Sequence, residues 1–98
     1  MNKKNFAIII EARTNSSRLP YKVIKKINGV SILENLINRI RHQNQIKKII
    51  VATTRLKRDD EIENICKKKN IICFRGHKND LIKRVSDAAI QNNVTDII

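Results

Sequence analysis

Residues 47–76 read KKIIVATTRLKRDDEIENICKKKNIICFRG. The run KKIIVATT (47–54) ends in a polar, cationic turn, and IICF (71–74) ends at Arg75-Gly76. Short apolar runs bounded by turn signals have the pattern of strands buried on both faces. Between them Ile62, Ile65 and Cys66 fall on one face of a helix, at the i, i+3, i+4 spacing. Asp59 or Asp60 reads as the N-cap of that helix, and the Lys67–Lys69 run as a solvated basic end that suits the helix dipole. Strand, helix, strand is the unit from which parallel sheets are built, because two parallel strands need a crossover between them.

The same alternation extends outward in both directions. Residues 6–12, opening with FAIII, form an apolar run fit for a first strand. Residues 22–27 read as a short extended piece closed by Asn28-Gly29, a turn dipeptide. Ser31 with Glu34 three residues on makes a capping box, and Ile32, Leu33, Leu36, Ile37 and Ile40 share the face of the helix it opens. Beyond residue 76, Asn79 or Asp80 caps a third helix with Leu81, Ile82, Val85, Ala88 and Ala89 inward, and VTDII (94–98) begins a fourth strand. The expected architecture is one α/β domain over residues 1–98: a three-layer, Rossmann-like parallel sheet with helices on both faces.

Composition narrows the partners. Twenty-one Lys and Arg against nine Asp and Glu give +12, which favours phosphate-rich ligands. A chain this rich in Lys, Asn and Ile also follows from an AT-biased coding sequence, so the positions of the cations carry more than their total. Aromatics are 3% of the residues, too few for the stacking platforms of single-strand binders. Cys66 and Cys73 form no C-x-x-C pair and read as free thiols in a reducing compartment. The N-terminal apolar run is too short for a signal-peptide core or a membrane span, so the chain is expected in the cytoplasm.

In a parallel α/β sheet, ligands collect beyond the carboxyl ends of the strands. The loops 13–22, 54–59 and 75–79 leave those ends and place Arg13, Arg18, Lys22, Arg55, Lys57, Arg58, Arg75, His77 and Lys78 along one edge. Within EARTNSSRLPYK (11–22), the three cations Arg13, Arg18 and Lys22, with Ser16 and Ser17, are the donors that phosphate oxygens need. Taken alone the loop reads equally as an exposed loop of a basic protein. It lacks the order of a P-loop and of the dinucleotide fingerprint. Thr53 and Thr54 end their strand where a base or ribose could be read, though Thr is also simply a good strand residue; Gly76 permits close backbone approach, though taken alone Arg75-Gly76 reads as a strand-to-loop turn.

EARTNSSRLPYKVI, VATT and FRGH, with the spacing between them, resemble the cytidylyltransferases of bacterial sugar metabolism. The resemblance is closest to the spore coat polysaccharide biosynthesis protein F group, and extends to the acylneuraminate and 3-deoxy-manno-octulosonate cytidylyltransferases. Ala12, Arg13, Ser16, Arg18, Leu19, Pro20, Lys22 and Val23 match the family pattern in place. The resemblance implies a glycosyltransferase-A-like nucleotidyltransferase fold. It also implies a reaction in which a sugar or sugar-acid hydroxyl attacks the α-phosphorus of CTP and pyrophosphate leaves, giving a CMP-sugar. It assigns Arg13 and Lys22 to catalysis as holders of the triphosphate, with Arg18, Ser16 and Ser17 beside them. Ala12, Thr53, Thr54, Arg75 and Gly76 fall on the cytidine side.

Three residues depart from the pattern: Glu11 for Gln, Asn15 for Gly, and Tyr21 for a second Gly. The family's next motif, whose Asp binds the catalytic Mg²⁺, follows the strand that TDII (95–98) matches, so that ligand is expected outside this chain. A fragment, a trimmed chain or a frameshifted gene product is then expected: a nucleotide-binding half, inactive alone, with an open sheet edge suited to homodimer formation or other self-association. A basic nucleic-acid-binding module and a non-catalytic truncated product are the alternative readings.

Overall fold

The apolar runs pair side by side, all in the same direction. The computed structural model describes residues 6–14, 22–43, 48–94 and 96–97. Strand β1 (Phe6–Glu11) runs parallel to β4 (Ile49–Thr54) with Ile8 opposite Ile49 and Glu11 opposite Ala52. Strand β5 (Ile72–Gly76) continues the sheet beyond β4, with Thr53 opposite Arg75 and Thr54 opposite Gly76. The two-residue strand β6 (Asp96–Ile97) lies parallel to β1 on its other side, giving the order β5-β4-β1-β6. Every residue of β4 is buried, as a strand covered on both faces requires.

Helices cover both faces. On one, α1 (Ile32–Gln43) and α2 (Asp60–Lys69) bury Leu33, Ile37, Ile62, Ile65 and Cys66 against Ile8, Ile10, Ile49 and Val51. On the other, Ala88 of α3 (Leu81–Gln91) closes over Ala7, Ile50, Ala52 and Phe74. Each fully buried Ile or Val contributes about 1.5–3 kcal/mol, so these aliphatic layers are the main source of stability. Cys66 and Cys73 are free thiols whose side chains meet between α2 and β5; the hydrogen bond with Cys73 and burial push the Cys66 thiol up.

The local signals hold where they concern neighbours in sequence. Ser31 Oγ accepts from the Glu34 N–H at 3.0 Å, and the Glu34 carboxylate accepts from the Ser31 hydroxyl at 3.1 Å. Asn28 and Gly29 both take positive φ, at 54° and 81°, and turn β2 (Lys26–Ile27) back onto β3 (Val30–Ser31). Asp80 caps α3 by accepting from the Lys83 N–H at 3.0 Å.

Several expectations change. The piece expected to be extended over 22–27 starts as a 3₁₀ turn, Lys22–Ile24, and only Lys26–Ile27 is strand. Leu36 lies on the exposed side of α1 at 38% exposure. On α3, Leu81 and Ile82 face solvent while Arg84 points inward at 1% exposure. Ala88 and Ala89 are inward as expected and Val85 is half-buried, while Arg84 takes the inward place expected of Leu81 and Ile82. The Lys67–Lys69 run is not simply solvated: Lys68 reaches Glu34 at 3.4 Å and Lys69 reaches Asn38 at 3.2 Å, tying α2 to α1. Asp59 holds the N-cap position of α2, but its side chain makes no capping hydrogen bond.

Candidate functional site

Because β1, β4 and β5 are parallel, the segments that follow them leave from one edge of the sheet. The backbone here is fixed by buried charge. Asp59 is fully buried and its Oδ1 accepts from both the N–H and the hydroxyl of Thr14, each at 2.8 Å. The Thr54 hydroxyl donates to Asp59 Oδ2 and accepts from the Leu56 N–H at 3.2 Å. The start of the loop after β1 is thus pinned to the end of β4. Burial pushes the Asp59 carboxyl up, but the Thr54 and Thr14 hydrogen bonds outweigh it and hold the group below its ordinary value.

Arg75 spans the next gap. Its guanidinium donates to the carbonyls of Thr54 and Leu56, the latter at 2.7 Å, and pairs with Asp60 at 3.0 Å and Glu63 at 3.1 Å. Its planar fork is spent on shaping the turn after β4. Arg84 spans a third. It donates to Glu11 Oε1 at 2.5 Å and to the His77 carbonyl at 2.6 Å, joining the end of β1 to the loop after β5. Gly76 makes room for it: a Cβ there would lie 3.1 Å from Arg84 Cγ and 2.6 Å from the Phe74 ring. His77 Nδ1 then accepts from the N–H groups of Asn79 at 3.1 Å and Asp80 at 3.0 Å.

Between the loops after β4 and β5 is a cavity of about 420 Å³, lined by Arg55, Leu56, Gly76, His77, Lys78 and Asn79. Its rim is cationic through Arg55 and Lys78, both exposed. Its size and open mouth suit a small planar or anionic ligand held at the strand ends.

The sequence-predicted residues fall into three groups. Arg13 is half-exposed at the edge, its Nε 3.9 Å from Glu11, and Lys22 is exposed at the head of the 3₁₀ turn. Ala12, Thr53, Thr54 and Arg75 sit at the same edge with side chains turned inward or bonded to the protein, and Gly76 is buried beside the cavity. Ser16, Ser17 and Arg18, with Asn15 and Tyr21, lie outside the described residues. The sequence pattern does not reveal two separate networks at this edge, Asp59 with Thr14 and Thr54, and Arg84 with Glu11. The available signals were an acid ending an apolar strand and an Arg within an apolar helix face.

A family model described as cytidylyltransferase matches residues 7–97. The spore coat polysaccharide biosynthesis protein SpsF of Bacillus subtilis is 32% identical over 80 residues, which cover 78% of this chain and 33% of that protein. An uncharacterized protein of Methanocaldococcus jannaschii is 40% identical over 81 residues, covering 83% of this chain and 33% of that one. The solved structure of a cytidylyltransferase from Leptospira borgpetersenii superposes with a TM-score of 0.91 at 36% identity, over 97% of this chain and 40% of that one. The chain thus spans about a third of the length of the two curated relatives.

Proposed function

Because this chain belongs to the cytidylyltransferase family, we propose that it supplies the nucleotide-binding part of an enzyme that transfers CMP from CTP to a sugar or sugar acid. The activated sugar would serve a cell-surface polysaccharide. The observation that carries the reading is the cavity of about 420 Å³ between the loops after β4 and β5, with Arg55 and Lys78 at its rim and Arg13 following β1 at the same sheet edge. In the proposal the cytidine occupies that cavity, with the Leu56 and Gly76 backbones beside the base. The triphosphate runs toward Arg13 and Lys22, with Ser16, Ser17 and Arg18 adding donors. Attack of a sugar hydroxyl on the α-phosphorus and departure of pyrophosphate depend on orienting these groups and offsetting their charge, which cations at a fixed edge supply.

Mg²⁺ belongs to the proposal as a group held from outside these 98 residues. Among the described residues, no group of three or more His, Cys, Asp or Glu side chains is arranged to hold a metal, and the Asp59 carboxylate is already bonded to Thr14 and Thr54. In the proposal this chain binds and orients CTP. Cytoplasmic location goes with that substrate; among the described residues no helix is long and apolar enough to cross a membrane. Self-association through the edge of β6 is part of the proposal too, and size-exclusion chromatography of the purified chain tests it.

Calorimetric titration of CTP, with and without Mg²⁺, is the central experiment. Arg13→Ala and Lys22→Ala are each expected to weaken CTP binding about tenfold or more, as loss of a charge-assisted phosphate contact does. Unchanged affinity in both variants overturns the phosphate assignment. No CTP binding, with salt-sensitive retention on DNA, would favour the nucleic-acid reading instead.

A further inference from the structure

The buried Arg84 has no place in the proposed chemistry, and its surroundings are unusual. A guanidinium at 1% exposure is costly unless its charge is matched, and Glu11 matches it at 2.5 Å. The pairing is incomplete: Arg84 Nε has no hydrogen-bond partner among the described residues. Glu11 Oε1 also lies 3.9 Å from Arg13 Nε, so one carboxylate oxygen faces two cations. Arg84 is buried and Arg13 is half-exposed at the loop mouth. The other end of the Arg84 fork holds the His77 carbonyl at 2.6 Å, and His77 in turn holds the Asn79 and Asp80 N–H groups.

We infer that Arg84 is a positioning residue with two effects: it occupies Glu11, leaving Arg13 available to an anion, and it fixes the His77–Asn79 wall of the cavity. Arg84 contacts no ligand in this arrangement. The inference rests on the nucleotide-binding reading for its ligand, and on geometry alone for the wall.

The electrostatic half makes a prediction that a purely structural residue would not. Removing the Arg84 charge leaves the Glu11 carboxylate with Arg13 as its nearest cation, and that carboxylate then competes with phosphate. In the 98-residue chain, Arg84→Met is expected to weaken binding of inorganic tripolyphosphate about tenfold, the effect of one uncompensated charge close to the ligand. Adding Glu11→Gln to Arg84→Met removes the competitor and is expected to restore the affinity. Glu11→Gln alone is expected to change tripolyphosphate binding by less than about twofold, because Arg84 already holds that carboxylate, and Arg84→Lys, which keeps the charge, is expected to bind near wild type and decides the matter if Arg84→Met does not fold. Loss without rescue in the double variant, or a large gain in Glu11→Gln alone, overturns the inference.

Amide hydrogen exchange at Asn79 and Asp80 tests the wall without any ligand. In Arg84→Met their protection is expected to fall more than that of the β4 amides, and uniform change across the chain overturns the positioning role. If the wild-type chain binds neither CTP nor tripolyphosphate, the proposed function fails and this exchange measurement still decides the positioning role. If wild type binds CTP and Arg84→Met binds it equally well, the positioning role fails alone.

Discussion

Replacing Asp59 by Ala separates a buried latch from an ordinary helix cap. The carboxylate is fully buried and receives three donors: the Thr14 N–H, the Thr14 hydroxyl and the Thr54 hydroxyl. The two hydroxyls can rotate, but the Thr14 N–H cannot, and a buried unpaired donor costs about 1–3 kcal/mol. Adding the weakened hydroxyl bonds puts the loss for Asp59→Ala at about 3 kcal/mol. Asp80, which caps α3 through one bond to the Lys83 N–H, provides the comparison, and Asp80→Ala should cost about 1 kcal/mol. For a domain of this size, each kcal/mol moves Tm by about 4–8 °C, so the expected drops are about 12–24 °C and 4–8 °C. Circular-dichroism melts of the two variants beside wild type measure both. Asp59→Asn keeps one acceptor for Thr14 and should fall between wild type and Asp59→Ala. Equal losses for Asp59→Ala and Asp80→Ala would show that Asp59 is only a cap, and would refute the latch.

Acid should destabilise the fold through two buried carboxylates. Asp59 and Glu34 are both held below their ordinary values: burial raises each, and hydrogen bonds from Thr54 and Thr14, or from Ser31, outweigh it. The unfolded chain then binds protons more readily near pH 4, so their contribution is complete above that region and is lost as pH falls through the lower folded values. Urea titrations between about pH 5 and pH 2.5 should show stability falling with pH, with a shallower slope in Asp59→Ala. At Gly76, an added Cβ would meet the Phe74 ring at 2.6 Å and Arg84 Cγ at 3.1 Å. Gly76→Ala should therefore cost about 1–3 kcal/mol in the same melts, and a neutral result would mean that the ring and the Arg84 stem give way freely.

What could be read from the sequence was set by the range of the interactions. The alternation of strands and helices is written in apolar spacing, and the Ser31–Glu34 box and the Asn28-Gly29 turn are settled within four residues. These are local, and they came through intact. Asp59 looked like a cap because an Asp ahead of a helix usually is one, but its partner Thr14 is 45 residues away in the chain. Arg84 was passed over for a similar reason. Residues 81, 82, 85, 88 and 89 make an apolar face by spacing, and nothing local marks Glu11, 73 residues earlier, as a partner for an inward Arg84. At the candidate site, the cationic loops and their shared edge followed from topology. The role of Arg75 as an internal brace did not, because nothing in FRGH marks the carbonyls of Thr54 and Leu56 as its partners.

The strand order has a consequence for synthesis. Strand β1 is made first, yet it lies inside the sheet, between β4 and β6. Its register partner for Ile8 is Ile49, and the chain must grow by roughly forty residues before that partner exists, which takes about 2–8 s at ribosomal speed. Until then an aliphatic strand emerges with both edges unpaired, in the state most prone to adhere to other nascent chains. A net charge of +12 opposes such contacts through mutual repulsion between like chains, a consequence of the basic composition that needs no ligand.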